Sequence, residues 1–535
     1  MANRYWVTGG TGNWNSTTNW STASGGASGA SVPGSSDAAL FDASSGSGTA
    51  TLDISPTVQT LTMTGFTGTL AFGTNTISLN STAVVFTGAT TMTVTGTPQI
   101  ILTNSSGTAR TISSQAVTEA NSISFRITAG TGTLTISTNS VVRDLDFTDG
   151  VNPTGYGGAF QGGVNNVYGN FKASTNMTQG AFNNALNFVA TSGVKTITTA
   201  AVVFDRPFTF NGVGGSWQLQ DALTIGATRT CTLTAGTLDL NNFTLTTGIF
   251  SSNNSNTRTL AFGTGKIVVT GNNATVCTTN TATGLTVTGN KRIEFSYSGS
   301  TGTRVITGVS TGAIEGTNLL DFYVTAGSDI INFSGSRSYG TFDFSNAGTS
   351  TFTGTWSNAS GTNNVYGNLI LNSAMVVGSG AEIIAMRATS GTKTITSAAQ
   401  TMDFPLTING LGGTFACSDA LTLGSTRALT MTNGTLQLAA GTTSTVGSFV
   451  TTGTTLKYLQ STTPGTQATI SDASGTDTVT YLSVQDSNAT GGATWDATST
   501  TNVNAGNNAG WVFRMPDFGG GVGSGGTCFG FGFRI

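Results

Sequence analysis

The chain has 535 residues and no histidine. Without an imidazole there is no Ser-His-Asp or Cys-His nucleophile and no histidine-ligated metal. Charge is scarce as well: Asp, Glu, Lys and Arg make up 8% of the chain, with a net charge of −3. No run of Lys or Arg interrupts it, so a basic footprint for nucleic acid is missing. No apolar stretch approaches the ~20 residues that a membrane helix needs. The opening Met1-Ala2-Asn3-Arg4-Tyr5-Trp6 has neither an apolar run nor a charged leader, so no secretory signal is expected there. No Gly-x-x-x-x-Gly-Lys-Ser/Thr loop offers a phosphate cradle. Proline is limited to 8 residues, as ladders of paired strands require. The composition leads to the expectation of a non-enzyme with no catalytic residue, no metal and no cofactor.

What is present is glycine, threonine and alternation. The 74 glycines are about twice the usual share. The apolar residues, 37% of the chain, alternate with polar ones instead of scattering. Thr60-Leu61-Thr62-Met63-Thr64, Thr133-Leu134-Thr135-Ile136-Ser137 and Thr430-Met431-Thr432 read polar, apolar, polar. Period two is the pattern of a strand with one dry and one wet face. Thr is β-branched and suits the wet face. No apolar stripe of helical period persists for ten residues.

A block is copied at a fixed offset of 198 residues. Asn165-Asn166-Val167-Tyr168-Gly169-Asn170 recurs as Asn363-Asn364-Val365-Tyr366-Gly367-Asn368 (363 − 165 = 198). Asp221-Ala222-Leu223-Thr224 recurs at Asp419-Ala420-Leu421-Thr422, and the match runs without a gap to Leu240 and Leu438. Repetition of this kind marks an elongated array. Cys231 and Cys417 align with Leu429 and Leu219, so these thiols behave as small buried hydrophobes. With Cys277 and Cys528 they form no Cys-x-x-Cys pair.

Two all-β architectures accommodate short, evenly spaced, Thr-rich strands. The reading favoured is an elongated parallel β-solenoid, or β-helix; the alternative is a string of β-sandwich modules. Coils of ~20–25 residues stacked at ~4.8 Å would give a rod on the order of 100 Å long. Along the chain we expect a Trp-rich N-terminal cap or docking module over 1–50 and a first β-repeat section over 51–150. Solenoid copies follow over 151–350 and 351–513, and a Gly-rich tail with a terminal aromatic strand over 514–535. A weaker repeat links Leu145-Asp146-Phe147, Phe342-Asp343-Phe344 and Leu482-Ser483-Val484, followed by Phe160, Trp356 and Trp495 respectively. It suggests one structural corner used three times.

Few residues carry chemistry. Asp144 and Asp146 are two apart on a predicted strand and would face the same way at ~7 Å, a separation found in inverting glycosidases; a solvated polar face is the favoured reading. Arg229 and Arg427, preceded by eight residues by Asp221 and Asp419, recur in both copies, as do Lys195 and Lys393. Recurrence points to a fold role, with charges paired at a turn. Candidate partner-docking residues are Trp6, Trp14 and Trp20 at one end and Phe529, Phe531 and Phe533 at the other. The tryptophans serve equally as a cap over the first strand edge. The terminal phenylalanines alternate with Gly530 and Gly532, giving an aromatic strand that needs cover.

Arg4-Tyr5-Trp6-Val7 with Gly12-Asn13-Trp14-Asn15 and Thr18-Asn19-Trp20-Ser21 resembles the start of phage-encoded structural proteins and of some bacterial surface repeat proteins. Ser487-Asn488-Ala489-Thr490-Gly491-Gly492-Ala493-Thr494-Trp495 with Gly510-Trp511-Val512-Phe513 resembles the close of their repetitive section. The resemblance implies a phage virion fibre or spike that touches the host. Alternatives are a capsid decoration or head-fibre protein and a bacterial cell-surface adhesin. It further implies a homotrimer, contact with other virion proteins of tail or capsid, host surface polysaccharide as a target, and location in the virion or, for an adhesin, on the bacterial surface.

Overall fold

The structure is a computed structural model that describes residues 1–514 apart from 82, 88–90, 115–117, 138, 163–164, 180–183, 273, 311–312 and 358–360. Phe529, Phe531, Phe533 and Cys528 therefore lie outside the described residues.

Threonine and β-branched apolar residues alternate along each strand, and the structure uses that alternation literally. In Thr60–Thr64, Leu61 and Met63 are fully buried while the threonines face outward. Three such strands, Thr60–Thr64, Thr69–Ala71 and Ile77–Leu79, make one coil. The next coil repeats them as Ala83–Thr87, Thr93–Thr95 and Gln99–Leu102. Each pairs in parallel with its counterpart below: Leu61 with Val84, Leu70 with Val94, Ile77 with Ile100. The chain is a parallel β-solenoid of about 19 turns, with 48% strand and 1% helix. Positions paired in parallel lie from 16 residues apart (Trp495 and Trp511) to 38 apart (Gly12 and Ala50). At about 4.8 Å per coil the stack is about 90 Å long. A β-sandwich would require antiparallel ladders; among the described residues every strand ladder but one is parallel, which excludes the modular alternative.

Glycine sets corners where coils touch. Gly96, at φ 84°, sits over Gly73, and a Cβ there would lie 2.5 Å from the Gly73 backbone. Inside, one apolar core runs from Trp6 to Trp511. Ladders cross the section boundaries anticipated near residues 50, 150 and 350: Ala39 with Leu61, Leu145 with Phe171, Phe342 with Leu369. The sections are stretches of a single stack.

The 198-residue copies repeat the same elements and turns. Phe208–Leu219 and Leu406–Cys417 are equivalent 12-residue strands that bend over two sides of the coil. Thr199 to Val202 and Ser397 to Gln400 are tight turns whose central residues Ala200/Ala201 and Ala398/Ala399 have φ 52°/60° in both copies. The anticipated corner is real in two of its three cases. Phe147 meets Phe160 at 5.1 Å and Phe344 meets Trp356 at 5.2 Å. The third differs: Trp495 packs on Trp511 at 5.1 Å and on Phe449 at 6.1 Å, closing the last coils.

Candidate functional site

The N-terminal tryptophans are interior residues. Asn3–Trp6 joins the first sheet in parallel and pairs with Trp20–Ser21 in the one antiparallel strand ladder among the described residues. That hairpin-like return covers the outermost strand edge, where an open row of N–H and C=O groups would invite pairing. Trp6, Trp14 and Trp20 are 1%, 0% and 0% exposed. Trp20 lies edge-on to Trp14 at 4.9 Å and to Trp6 at 5.3 Å, and donates its indole N–H to the Trp14 carbonyl at 2.8 Å. Their rings close the lumen and do not reach a surface, so a partner at this end would meet the outside of the first coils and not the indoles.

Asp144 and Asp146 do share the outer face, in a groove of about 280 Å³ with Arg126 and Lys172. All four carboxylate oxygens are engaged. Asp144 accepts from the Ser124 hydroxyl at 2.7 Å and from the Asn170 backbone N–H at 2.6 Å and side-chain amide at 3.0 Å. Asp146 pairs with Arg126 at 3.0 Å and accepts from the Thr148 N–H at 2.9 Å and hydroxyl at 2.7 Å. Asp343, the second copy's equivalent of Asp146, accepts from the Ser345 N–H at 2.7 Å in the same way. This is the hydrogen-bonding pattern of a corner brace.

The recurrent arginines are paired, but not with the aspartates expected. Arg229 binds Asp205 at 2.7 Å, and Arg427 binds Asp403 at 2.7 Å. Asp221 and Asp419 instead reach the turn of the preceding coil. Asp221 accepts the N–H groups of Thr199 and Ala200, each at 2.7 Å; Asp419 accepts those of Ser397 at 2.8 Å and Ala398 at 2.6 Å. Eight residues along a coil is a different corner, whereas one full coil returns the chain to the same one. Sequence proximity therefore chose the wrong partner.

The copies also match beyond the block legible in sequence. Glu119 accepts from the Thr191 hydroxyl at 2.7 Å and N–H at 3.2 Å; Glu315 accepts from those of Thr389 at 2.7 Å and 3.0 Å. Beside this clamp the side chains diverge. At an offset of 197 (321 − 124, 340 − 143, 341 − 144), Ser124, Arg143 and Asp144 correspond to Asp321, Gly340 and Thr341. In the first copy, the Arg143 guanidinium lies across the corner and donates to the Glu119 and Ala120 carbonyls at 3.3 Å and 3.0 Å. In the second, Lys291 from the coil before supplies the cation and donates to the Gly316 carbonyl at 2.6 Å. The carboxylate has changed sides too: Asp321 accepts the Thr341 N–H at 2.7 Å, where Ser124 donated to Asp144.

Gly340 leaves open a groove of about 540 Å³ walled by Lys291, Glu315, Leu319, Asp321, Tyr366 and Lys393. A Cβ at Gly340 would lie 2.1 Å from the Asp321 carboxylate, so any side chain there would displace that carboxylate. Burial pushes the Asp321 carboxyl up, opposed by its hydrogen bond from Thr341 and by the nearby lysines. Of these residues the sequence marks only Tyr366 and Lys393, both as members of the copied block. The signal was available in a comparison of the copies that allows a shift of one or two residues upstream of residue 165.

Cys231, Cys277 and Cys417 are free and buried, as the alignment of Cys231 and Cys417 with leucine leads one to expect for those two, and burial pushes each thiol up to about 12. Among the described residues no group of three or more Cys, Asp or Glu is placed to hold a metal. No helix there is long and apolar enough to cross a membrane. Comparison with protein-family models, with curated protein sequences and with solved structures gives no match.

Proposed function

We propose that the chain is a non-enzymatic structural protein of a phage particle, a fibre or spike that projects from the virion and contacts the host surface. The observation that carries the reading is the single unbroken core of about 19 stacked turns, which makes the chain a stiff spacer of about 90 Å. The terminal motifs resemble those of phage structural proteins. The carboxylates best spaced for hydrolysis are wholly taken up in bracing corners, which supports a role without turnover. Val213 and Leu411, equivalent in the two copies, stand 68% and 63% exposed on glycine turns. Paired apolar tips of this kind support lateral contact with further copies, a trimer by the resemblance.

Immunogold labelling of intact particles with antibody to the full chain tests the reading. Label on the tail supports it. Label over the head transfers the role to capsid decoration, and label confined to the bacterial envelope overturns it in favour of an adhesin. Incubation with host polysaccharide should release no reducing sugar; turnover lost in Asp144→Asn or Asp146→Asn would overturn the non-enzymatic part.

A further inference from the structure

The two copies hold similar charges at one corner, and in the second they line a wider opening, about 540 Å³ against about 370 Å³ beside Ser124, Arg143 and Asp144. Replacing Arg143 by Gly340 removes the side chain that crosses the corner. Moving the carboxylate from Asp144 to Asp321 sets it in the wall. Moving the cation to Lys291 keeps the carbonyl of Gly316 satisfied without filling the space. Glu315 is committed to Thr389. The Lys393 side chain, half-buried, forms no hydrogen bond or ion pair among the described residues, and it lines the same space as the half-buried Asp321. Tyr366 packs on the small apolar cluster of Ala282, Val309 and Leu319, so one side of the groove is apolar.

Two lysines are balanced by two carboxylates, so the groove has no net charge to attract a polyanion. It offers a donor and an acceptor side by side, a hydroxyl on Thr341, and an apolar flank. About 540 Å³ is within the range of ~300–1,000 Å³ typical of small-ligand sites. A sugar ring has the matching chemistry, with adjacent hydroxyls that both donate and accept around a C–H face. We propose that this groove binds one hexose-sized residue of a neutral glycan, with Lys393 donating to and Asp321 accepting from neighbouring hydroxyls, and Tyr366 and Leu319 against the ring's C–H face. The inference deepens the host-contact reading and rests on it for its biological setting.

The test uses the full chain, a panel of neutral and uronic-acid-containing oligosaccharides, and titration calorimetry with the tightest neutral one. Lys393→Ala should weaken binding about tenfold or more, the loss of a charge-assisted hydrogen bond. The decisive variant combines Asp321→Ser, Gly340→Arg and Thr341→Asp. It installs the first copy's corner, which this fold already accommodates, and should abolish binding with an unchanged melting temperature. If the triple variant unfolds, Lys393→Ala decides by itself: tenfold loss supports the site and unchanged affinity overturns it. Failure to bind any neutral member of the panel, binding of acidic members only, or undiminished affinity in a folded triple variant overturns the proposal. Particle labelling is independent of all these results, so a labelled virion whose protein binds no glycan defeats this inference alone.

Discussion

Arg304 and Asp329 form a two-pronged ion pair inside the coil stack, Nε to Oδ2 at 2.7 Å and Nη2 to Oδ1 at 2.7 Å, with side chains 1% and 0% exposed. Arg304 also donates to the Ala326 carbonyl at 3.0 Å, and the Tyr297 ring lies 5.6 Å away. Removing one partner strands the other charge away from water. Asp329→Ala should therefore destabilise the protein by about 3–5 kcal/mol. Urea unfolding of the variant beside wild type measures this, and a loss below about 1 kcal/mol would contradict the placement.

The turn clamps of Asp221 and Asp419 join successive coils through charge-assisted bonds to two N–H groups each. Asp221→Ala leaves two turn N–H groups without their acceptor and should cost about 1.5–3 kcal/mol. Asp419→Ala should cost the same within error, because the geometry is the same. Unequal losses would show that the copies are not mechanically equivalent.

Asp477, 4% exposed, accepts the Phe449 N–H at 2.8 Å. Burial, reinforced by Asp472, raises its carboxyl to about 6 from the ordinary 3.8. The sign follows: a raised folded-state value favours the fold while the group is protonated, so this contribution is full below about pH 4 and is lost as pH rises through about 6. Asp477→Asn should raise the melting temperature at pH 7, and the gap should close towards pH 4. A gap that stays constant over that range would refute the assignment.

With their thiols raised to about 12, Cys231, Cys277 and Cys417 hold almost no thiolate at pH 8. Iodoacetamide should leave all three unmodified in the native protein and modify them after denaturation. Peptide mass mapping reads the result, and native labelling or a disulfide among them would contradict the buried placement.

Deletion of residues 516–535 tests the terminal aromatic strand. If Phe529, Phe531 and Phe533 anchor the chain, the truncated protein should keep its melting temperature, since the core closes at Trp511, but lose its oligomer or its incorporation into particles. Wild-type assembly by the truncated chain would remove the anchor role.

The sequence by itself determined the architecture, because both of its signals are local. Period-two alternation in Thr60–Thr64 and the copied block at 165 and 363 each need only neighbouring residues or a fixed offset to be seen. They dictate strands with one dry face, and repetition dictates stacking. The buried state of Cys231 and Cys417 was legible for the same reason, since alignment with leucine states the environment directly. What only the tertiary structure decided was which side chains meet. A coil has no constant length, with paired positions 16 to 38 residues apart, so partners lie one irregular turn apart. Arg229 thus finds Asp205, and Asp221 finds the turn at Thr199. The groove at Gly340 depends on three substitutions in two coils, each unremarked alone. The burial of Trp6, Trp14 and Trp20 likewise follows from the antiparallel return of Trp20–Ser21. Composition supplies the aromatic rings, but only the path of the chain turns them inward.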